Sequence, residues 1–301
     1  MTRKHSIDEP RFTATASTDA VTGRVIWSWR KSAWVGGMYA LSLIGGFYTF
    51  SLEAFLVFIL STATVLCFGH SLGMHRRLIH NSFKCPLWLE YILVYSGTLV
   101  GLGGPFTMIY THDLRDWAQR QPACHDYFAH RQPFWKDWFW QLHCDIHLVN
   151  PPAVQYEQRI VNNEFYHFIE RTTMAQQLPW ALLFYAVGGM SWVIWGVCVR
   201  VAVCVTGHWL IGYFAHLQGD REWHVHGAGV QGYNVAFCGL ITSGECWHNN
   251  HHAFPGSAKI GIHKHQIDPG WWVITILRRL GLAWDIQTPA TLPERSALQR
   301  L

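Results

Sequence analysis

Three long apolar stretches limit what this chain can fold into more than any other feature of its sequence. Residues 33–50 and 54–70 are each about as long as a bilayer-spanning helix requires, and only residues 51–53 separate them. Two spans joined by so short a connection form a tight helical hairpin. Residues 178–214 are almost entirely apolar and are long enough for two further spans.

The third stretch contains a predicted break at Gly188, Gly189 and Ser191, which would split it into two spans and form a second hairpin. The predicted fold class is therefore an all-α integral membrane protein, with four transmembrane helices in two hairpins and a cytoplasmic histidine-rich cap. Residues 86–108 are also apolar, but a crossing there would put the histidines before and after it on opposite sides of the membrane. We expect this segment to be buried within the cytoplasmic part or to lie along the membrane.

The positions of lysine and arginine predict the orientation of the spans. Six precede residue 33, nine lie between residues 71 and 175, seven follow residue 217, and none lies in the two short hairpin turns. By the positive-inside rule, both termini and the long middle segment face the cytoplasm, as in a multi-pass protein of a bacterial inner membrane or its equivalent. The start, MTRKHSIDEPRF, has no apolar core of the kind that a cleavable signal peptide needs.

Composition excludes some classes of function and organisation. A net charge of +4 is too small and too dispersed to indicate nucleic-acid binding. The 17 Trp and 17 Phe are typical of side chains that anchor a protein at the lipid–water boundary. Eight cysteines without a CxxC pair fit a reducing compartment. We expect residues 1–32, which precede the first span, to form a cytoplasmic segment.

Histidines are the residues most suited to chemistry, and the chain has 19 of them. In the stretch GECWHNNHH, the three residues His248, His251 and His252 would share one face of a helix, where they could converge on a metal ion. Neutral imidazole is a common ligand for iron, zinc and copper. The alternative for this stretch is a solvated polar turn.

Further histidines follow the predicted ends of the spans on the same side of the membrane. His75 and His80 come directly after the second span, and on an α-helix their spacing of five would make the rings diverge by about 140°, which suits two different metal ions. His216 ends the fourth span. Together with the 248–252 stretch, these positions predict a polynuclear, histidine-rich metal site that faces the cytoplasm.

The combination of HRRLIH at 75–80, a histidine ending the fourth span and HNNHH at 248–252 resembles the integral-membrane fatty acid desaturases, especially their acyl-CoA and acyl-lipid branch. The resemblance covers residues 33–290 and implies one membrane domain there, followed by a tail at 291–301. Residues 268–286 are also similar to that family. It implies a diiron centre held by histidines, with His75 and His80 as the first box, His248, His251 and His252 as the third, and His216 as an additional ligand. It also implies a tunnel for an acyl chain.

The second histidine box departs from the family pattern HxxHH, because the corresponding residues are HDLRD at 112–116. His112 matches the first position, while Arg115 and Asp116 replace two expected histidines. Asp116 is a plausible replacement iron ligand, since a carboxylate binds iron and shares a helical face with His112. Arg115 stays protonated and cannot ligate, but as a loop arginine near an acyl entrance it could meet a phosphate of coenzyme A or of a lipid headgroup.

Other polar residues are candidate metal ligands or could contact the ligands. For each of them the alternative is a polar residue at the membrane interface, on the surface or packed in the core. Two histidine pairs could fill the gap in the second box. Two histidines lie within or near the spans, and two asparagines of the third box would orient ring N–H groups or bound water. These candidates are His125 with His130, His143 with His147, His70 and His208, and Asn249 with Asn250.

The function that the resemblance implies is O2-dependent introduction of a cis double bond, at Δ9, into a saturated long-chain acyl group. The substrate is an acyl-CoA or an acyl-lipid, and the electrons come from an external ferredoxin-like or cytochrome donor with a reductase. Two alternatives remain open from the sequence. One is a fatty acyl or lipid hydroxylase, which shares the histidine boxes. The other is a non-catalytic membrane protein on the same scaffold.

Overall fold

The computed structural model of the chain describes residues 11–301, and the first ten residues of the expected 1–32 segment lie outside the described residues. The chain is mostly helical, as predicted. The α-helices are α1 Trp29–Tyr48, α2 Leu52–Thr64, α3 Leu87–Thr98, α4 Pro105–Arg120, α5 Asp126–Ala129, α6 Phe134–His143, α7 Gln158–Val161, α8 Glu164–Arg171, α9 Gln177–Val193, α10 Arg200–Leu217, α11 His248–Ala253 and α12 Pro269–Arg279. A first π-helix (Val65–Ile79) continues α2, a 3-10 turn (Met174–Gln176) precedes α9, and a second π-helix (Ile194–Val199) joins α9 to α10.

Within the described residues, two continuous helical stretches are long and apolar enough to cross a membrane. They are Leu52–Ile79, of 28 residues, and Met174–Leu217, of 44 residues. Only 17% and 22% of their most apolar windows are buried, whereas the core helix of a soluble protein would be mostly buried. These two exposed apolar helices indicate a membrane protein.

The longer stretch does not run straight. Gly189 has φ 66° and ψ −160°, a left-handed conformation that glycine adopts without strain and that breaks the helix at the predicted position. On the two sides of this break, Nη2 of Arg200 donates to Oε1 of Gln177 at 2.5 Å. In a straight helix these residues would be about 34 Å apart, so the chain turns back at Gly189 and the second π-helix packs against α9.

The first two helices pack against this folded pair. The hydroxyls of Tyr39 in α1 and Thr206 in α10 are 2.7 Å apart, and the hydroxyl of Ser191 donates to the carbonyl of Thr49 at the end of α1. Ring contacts join Phe55 of α2 to Trp195. Helices α1 and α2 and the two halves of the longer stretch therefore form one bundle.

The apolar segment 86–108 is broken into α3 and the start of α4 rather than forming one helix. Helix α3 lies along the first π-helix, where a Cβ on Gly69 would be 2.4 Å from the backbone of Ser96 and one on Gly73 would be 2.3 Å from the carbonyl oxygen of Leu93. Glycine at these two positions permits the close approach of the two backbones.

Side chains of the helical bundle donate hydrogen bonds to backbone carbonyls in the turn between α3 and α4. The carbonyl of Leu99 accepts from Nη1 of Arg200 at 2.5 Å and from Nε2 of Gln177 at 3.1 Å. The indole of Trp34 donates to the carbonyl of Gly101 at 2.9 Å. Irregular backbone beside membrane helices is tolerated where protein groups bind it in this way.

The prediction of an all-α chain is wrong in one respect, because the described residues include three two-stranded antiparallel sheets. Their strands are β1 Phe12–Thr13 with β4 Ala153–Val154, β2 Gly23–Trp27 with β3 Cys144–Leu148, and β5 Trp223–Val225 with β6 Leu298–Arg300. These strands have at most five residues. Each is stabilised by a partner far away in the chain, so local sequence patterns did not indicate them.

We expect Arg200→Met to lower the free energy of unfolding by about 1–3 kcal/mol. Oε1 of Gln177 would lose its buried hydrogen-bond donor, and the carbonyl of Leu99 would lose one of its two donors. The measurement is unfolding of the purified protein in mixed detergent micelles, followed by circular dichroism. Arg171→Met is the matched control, since Arg171 is exposed. Equal losses in the two variants would contradict this role of Arg200.

Candidate metal centre

The first π-helix determines how His75 and His80 lie. The expectation that these rings diverge assumed an α-helix, and the structure corrects it. Here the backbone N–H of His80 donates to the carbonyl of His75, five residues earlier, at 2.9 Å. This π-type winding brings residues five apart onto one face. As a result, Nε2 of His75 and Nε2 of His80 are 3.2 Å apart.

Two further rings complete a first group of histidines. His112 comes from α4 and His251 from α11, and their ring centroids lie 5.0 Å and 4.6 Å from that of His75. The four rings place one nitrogen each within 4.8 Å of all the others. We call this set, His75, His80, His112 and His251, group 1.

A second group lies next to the first. Nε2 of His248 is 3.0 Å from Nε2 of His216 and 3.1 Å from Nε2 of His252. Nδ1 of His216 donates to the carbonyl of Gly212 at 2.6 Å, which leaves its Nε2 lone pair for the group. We call the set His216, His248 and His252 group 2.

Helix α11 divides its histidines between the two groups, so the third box does not converge on one point. His248 and His252 are four residues apart and lie about 40° apart around the axis, whereas His251 lies about 100° from His252. His251 therefore faces group 1, although its ring centroid is only 5.5 Å from that of His248. One short helix joins the two groups.

The donor atoms of both groups suit a bound cation. Facing Nε2 atoms at 3.0–3.2 Å need a shared proton or a metal ion between them. Nε2 of His112 and Nε2 of His251 are buried and have no hydrogen-bond partner. Burial lowers the pKa of His251 to about 4 and that of His252 to about 3, so these rings are neutral near pH 7. Neutral imidazole is the form that binds iron and other transition metals.

The divergent second box lies on α4. Oδ2 of Asp116 is 3.8 Å from Nε2 of His251 and from Nδ1 of His112, and its Oδ1 is buried without a hydrogen bond. Burial alone would raise the pKa of Asp116. The nearby His112 and His251, together with Arg115 and Arg120, outweigh that effect and hold the pKa of Asp116 well below its usual range. Asp116 is therefore an anionic carboxylate at the edge of group 1.

Arg115 is on helix α4, not in the loop that the sequence led us to expect. Its Nη2 lies 3.6 Å from Oδ1 of Asp116, and its side chain is mostly buried. This cation lowers the pKa of His112, His248 and His252 by repulsion, after the larger effect of burial. Arg115 thus adds positive charge beside both groups.

Three other candidate histidines lie beside the groups without belonging to them. The ring of His70 is 4.9 Å from that of His208 and 6.4 Å from that of His75. His130 stacks on His216 with ring centroids 5.3 Å apart, and its Nδ1 is 2.9 Å from Oδ1 of Asp137. His70 and His208 lie on helices of the bundle, and His130 lies between α5 and α6.

The remaining three candidates have other partners. Nδ1 of His125 accepts from the backbone N–H of Tyr127, and Nδ1 of His143 is 3.1 Å from the hydroxyl of Ser32. His147 belongs to β3, opposite Arg24 of β2. The structure does not bring these histidines into either group.

The two asparagines of the third box bind loops around α11. Oδ1 of Asn249 accepts the backbone N–H groups of Glu222 and Trp223, each at 2.9 Å. The side-chain amide of Asn250 donates to the carbonyl of Ile260 and to Oε1 of Gln266. Their bonds hold the segments before and after α11 against that helix.

Sequence reasoning missed Glu245, three residues before the third box. Its Oε2 is 2.7 Å from Nδ1 of His75, and both side chains are almost fully buried. The signal in the sequence was a lone acid among the apolar and small residues that precede the box. Nothing in the spacing indicated that this acid would meet a histidine of the first box.

Comparison with known proteins adds an independent observation. The chain is 34% identical over 265 residues to an acyl-CoA C20 Delta5-desaturase of Anemone leveillei, covering 87% of this chain and 82% of that protein. It is 32% identical over 262 residues to the sn-1 stearoyl-lipid 9-desaturase of Anabaena variabilis, covering 84% and 93%. It is 31% identical over 259 residues to Delta-9 acyl-lipid desaturase 2 of Arabidopsis thaliana, covering 86% and 82%. No protein-family model matches the chain.

These likenesses extend over most of both partners in each comparison, and they agree with the two histidine groups that the fold assembles. The chain therefore belongs to the acyl-CoA and acyl-lipid desaturases, a family of oxidoreductases that act on fatty acyl groups.

Proposed function

We propose that the protein is a membrane diiron desaturase that uses O2 to introduce a cis double bond, at Δ9, into a saturated long-chain acyl group. The observation that carries this proposal is the pair of adjacent imidazole groups, each with its nitrogens turned inward. Removal of hydrogen from an unactivated methylene is beyond acid–base side chains and needs such a cofactor.

Each group would hold one iron. In group 1, the ligands would be His75, His80, His112 and His251, with Asp116 as an anionic neighbour that takes the place of a missing histidine. In group 2 they would be His216, His248 and His252. Bound iron would supply the oxidising power, with O2 as co-substrate. The protein would keep the rings neutral by burial, hold them in place and exclude water from the reacting carbons.

The names of the relatives support the Δ9 position and a long acyl chain, because several are 9-desaturases of stearoyl or other acyl lipids. Other relatives are acyl-CoA 5-desaturases, so acyl-CoA and acyl-lipid are both candidate substrates. The reaction also consumes two electrons, which we assign to an external ferredoxin-like or cytochrome donor with its reductase.

We further propose four membrane crossings in two hairpins, with the histidine groups and both termini in the cytoplasm. The packing of the second π-helix back on α9 supports two crossings in the longer stretch, and α1 belongs to the same bundle. The distribution of Lys and Arg supports the orientation.

The activity test is a fatty acid profile, with double-bond positions, of a desaturase-deficient host that expresses the chain. We expect new cis Δ9 monounsaturated chains, which disappear with His248→Ala and persist with His265→Ala, an exposed histidine. Hydroxylated chains would select the hydroxylase instead. An unchanged profile in the presence of bound iron and a supplied reductant would refute both.

The two groups predict how iron is lost in variants. We expect His80→Ala and His252→Ala each to lower the iron content of the purified protein by about one equivalent, because each removes a ring from a different group. The double variant should lose about two equivalents by the same argument. Metal analysis by mass spectrometry measures the stoichiometry, with His265→Ala as the control. Equal loss of all iron in each single variant would contradict two separable sites.

Asp116 offers a second test of the divergent box. We expect Asp116→Ala to lower iron content and desaturation together, since group 1 would lose its anionic neighbour, and Asp116→His to retain iron better than Asp116→Ala. Asp285→Ala is a matched control, because this exposed carboxylate pairs with Lys84. Iron content and activity that are unchanged in Asp116→Ala would remove this residue from the site.

A further inference from the structure

One carboxylate at the histidine groups has no part in the function as proposed so far. Glu245 lies in the turn before α11, and its side chain is 14% exposed. It faces His75, which belongs to the first box, although Glu245 itself adjoins the third. A buried carboxylate without partners would be costly, so its contacts indicate what it does.

The contact with His75 decides the state of that ring. Oε2 of Glu245 lies 2.7 Å from Nδ1 of His75, within ion-pair distance, so the carboxylate favours a proton on that nitrogen. A proton on Nδ1 leaves the lone pair on Nε2, and Nε2 of His75 is the atom that faces His80 in group 1. The carboxylate therefore favours this tautomer and this direction of the ring.

Other groups hold the carboxylate in place. Its Oε1 accepts from the hydroxyl of Ser71 at 2.5 Å and lies 3.5 Å from Nη2 of Arg76. Asp268 binds the same guanidinium at 2.7 Å, so Arg76 cannot easily turn away. Gly244, with φ 94°, permits the backbone turn that presents Glu245 to the π-helix.

No other ring of the two groups has so close a carboxylate among the described residues. His216 donates instead to the carbonyl of Gly212, and Nδ1 of His112 is 3.4 Å from Oδ1 of Asp113, which is already bound by Arg11. A carboxylate that accepts from a metal-binding histidine raises the basicity of the ring and fixes its orientation. Within group 1, His75 is the ring that a carboxylate approaches most closely.

We propose that Glu245 is a positioning residue for His75, and that it joins the loop of the third box to the first box so that group 1 forms only when both are in place. The inference rests on the proposed metal-binding function of group 1. Glu245 lies outside the histidine boxes, and its effect on metal binding is exerted through the ring of His75.

The test measures Co²⁺ binding to the full-length protein in detergent by competition with a chelator, because Co²⁺ bound by imidazole has a visible spectrum and needs no turnover. The binding step that is lost in His75→Ala is assigned to group 1. We expect Glu245→Gln to weaken that step by about 10–100-fold and to leave the other step unchanged. Glu222→Gln is the control, since this carboxylate binds His263 outside both groups.

The double variant separates positioning from a general structural role. If Glu245 acts through His75, Glu245→Gln leaves the group 2 step unchanged both alone and in the His75→Ala background, where the group 1 step is already lost. Weakening of the group 2 step in either background, or unchanged Co²⁺ affinity in Glu245→Gln, would overturn the proposal. Should Glu245→Gln fail to fold, Ser71→Ala tests the same contact, with a smaller loss expected at group 1 only.

Co²⁺ binding also distinguishes failure of this inference from failure of the desaturase proposal. A protein that binds two Co²⁺ ions but makes no unsaturated fatty acid leaves the role of Glu245 intact. A protein whose group 1 does not bind Co²⁺ at all overturns the inference, whatever the fatty acid profile.

Discussion

The centre of this molecule depends on holding seven imidazole rings against one another in a buried or partly buried space. Their inward nitrogens lie close together in two groups, and they come from the first π-helix, the residue after it, α4, α10 and α11. Neutral rings in such contact repel through their lone pairs unless a proton or a cation lies between them. The surrounding fold supplies the burial and the rigid supports that make the arrangement possible.

Buried arginines provide much of that support. Arg76 binds Asp268 and the carbonyl of Ala258 behind the first box, and Arg200 binds the turn between α3 and α4. Arg11, which directly precedes β1, binds Asp113, next to His112. A guanidinium has five donors in a rigid plane, so each of these residues connects several segments that would otherwise leave carbonyl groups unsatisfied beside the membrane helices.

The second box changes the electrostatics of the centre. Where the family pattern has two neutral histidines, this chain has a cation and an anion side by side, Arg115 and Asp116, so the net charge of the pair is unchanged. The carboxylate lies toward group 1, while the guanidinium lowers the proton affinity of rings in both groups. A pair of this kind offers an anionic donor to one site without making the whole centre negative.

The sequence by itself determined the apolar helices, the break at Gly189 and the residue types of the centre, because bilayer length and imidazole chemistry depend on composition and spacing alone. Tertiary structure decided which histidines meet. The π-type winding that places His80 beside His75 is stabilised by packing against α3, and no local sequence pattern predicts it. The division of α11 between two groups and the contact of Glu245 with His75 depend on segments far apart in the chain, which only the folded bundle places side by side.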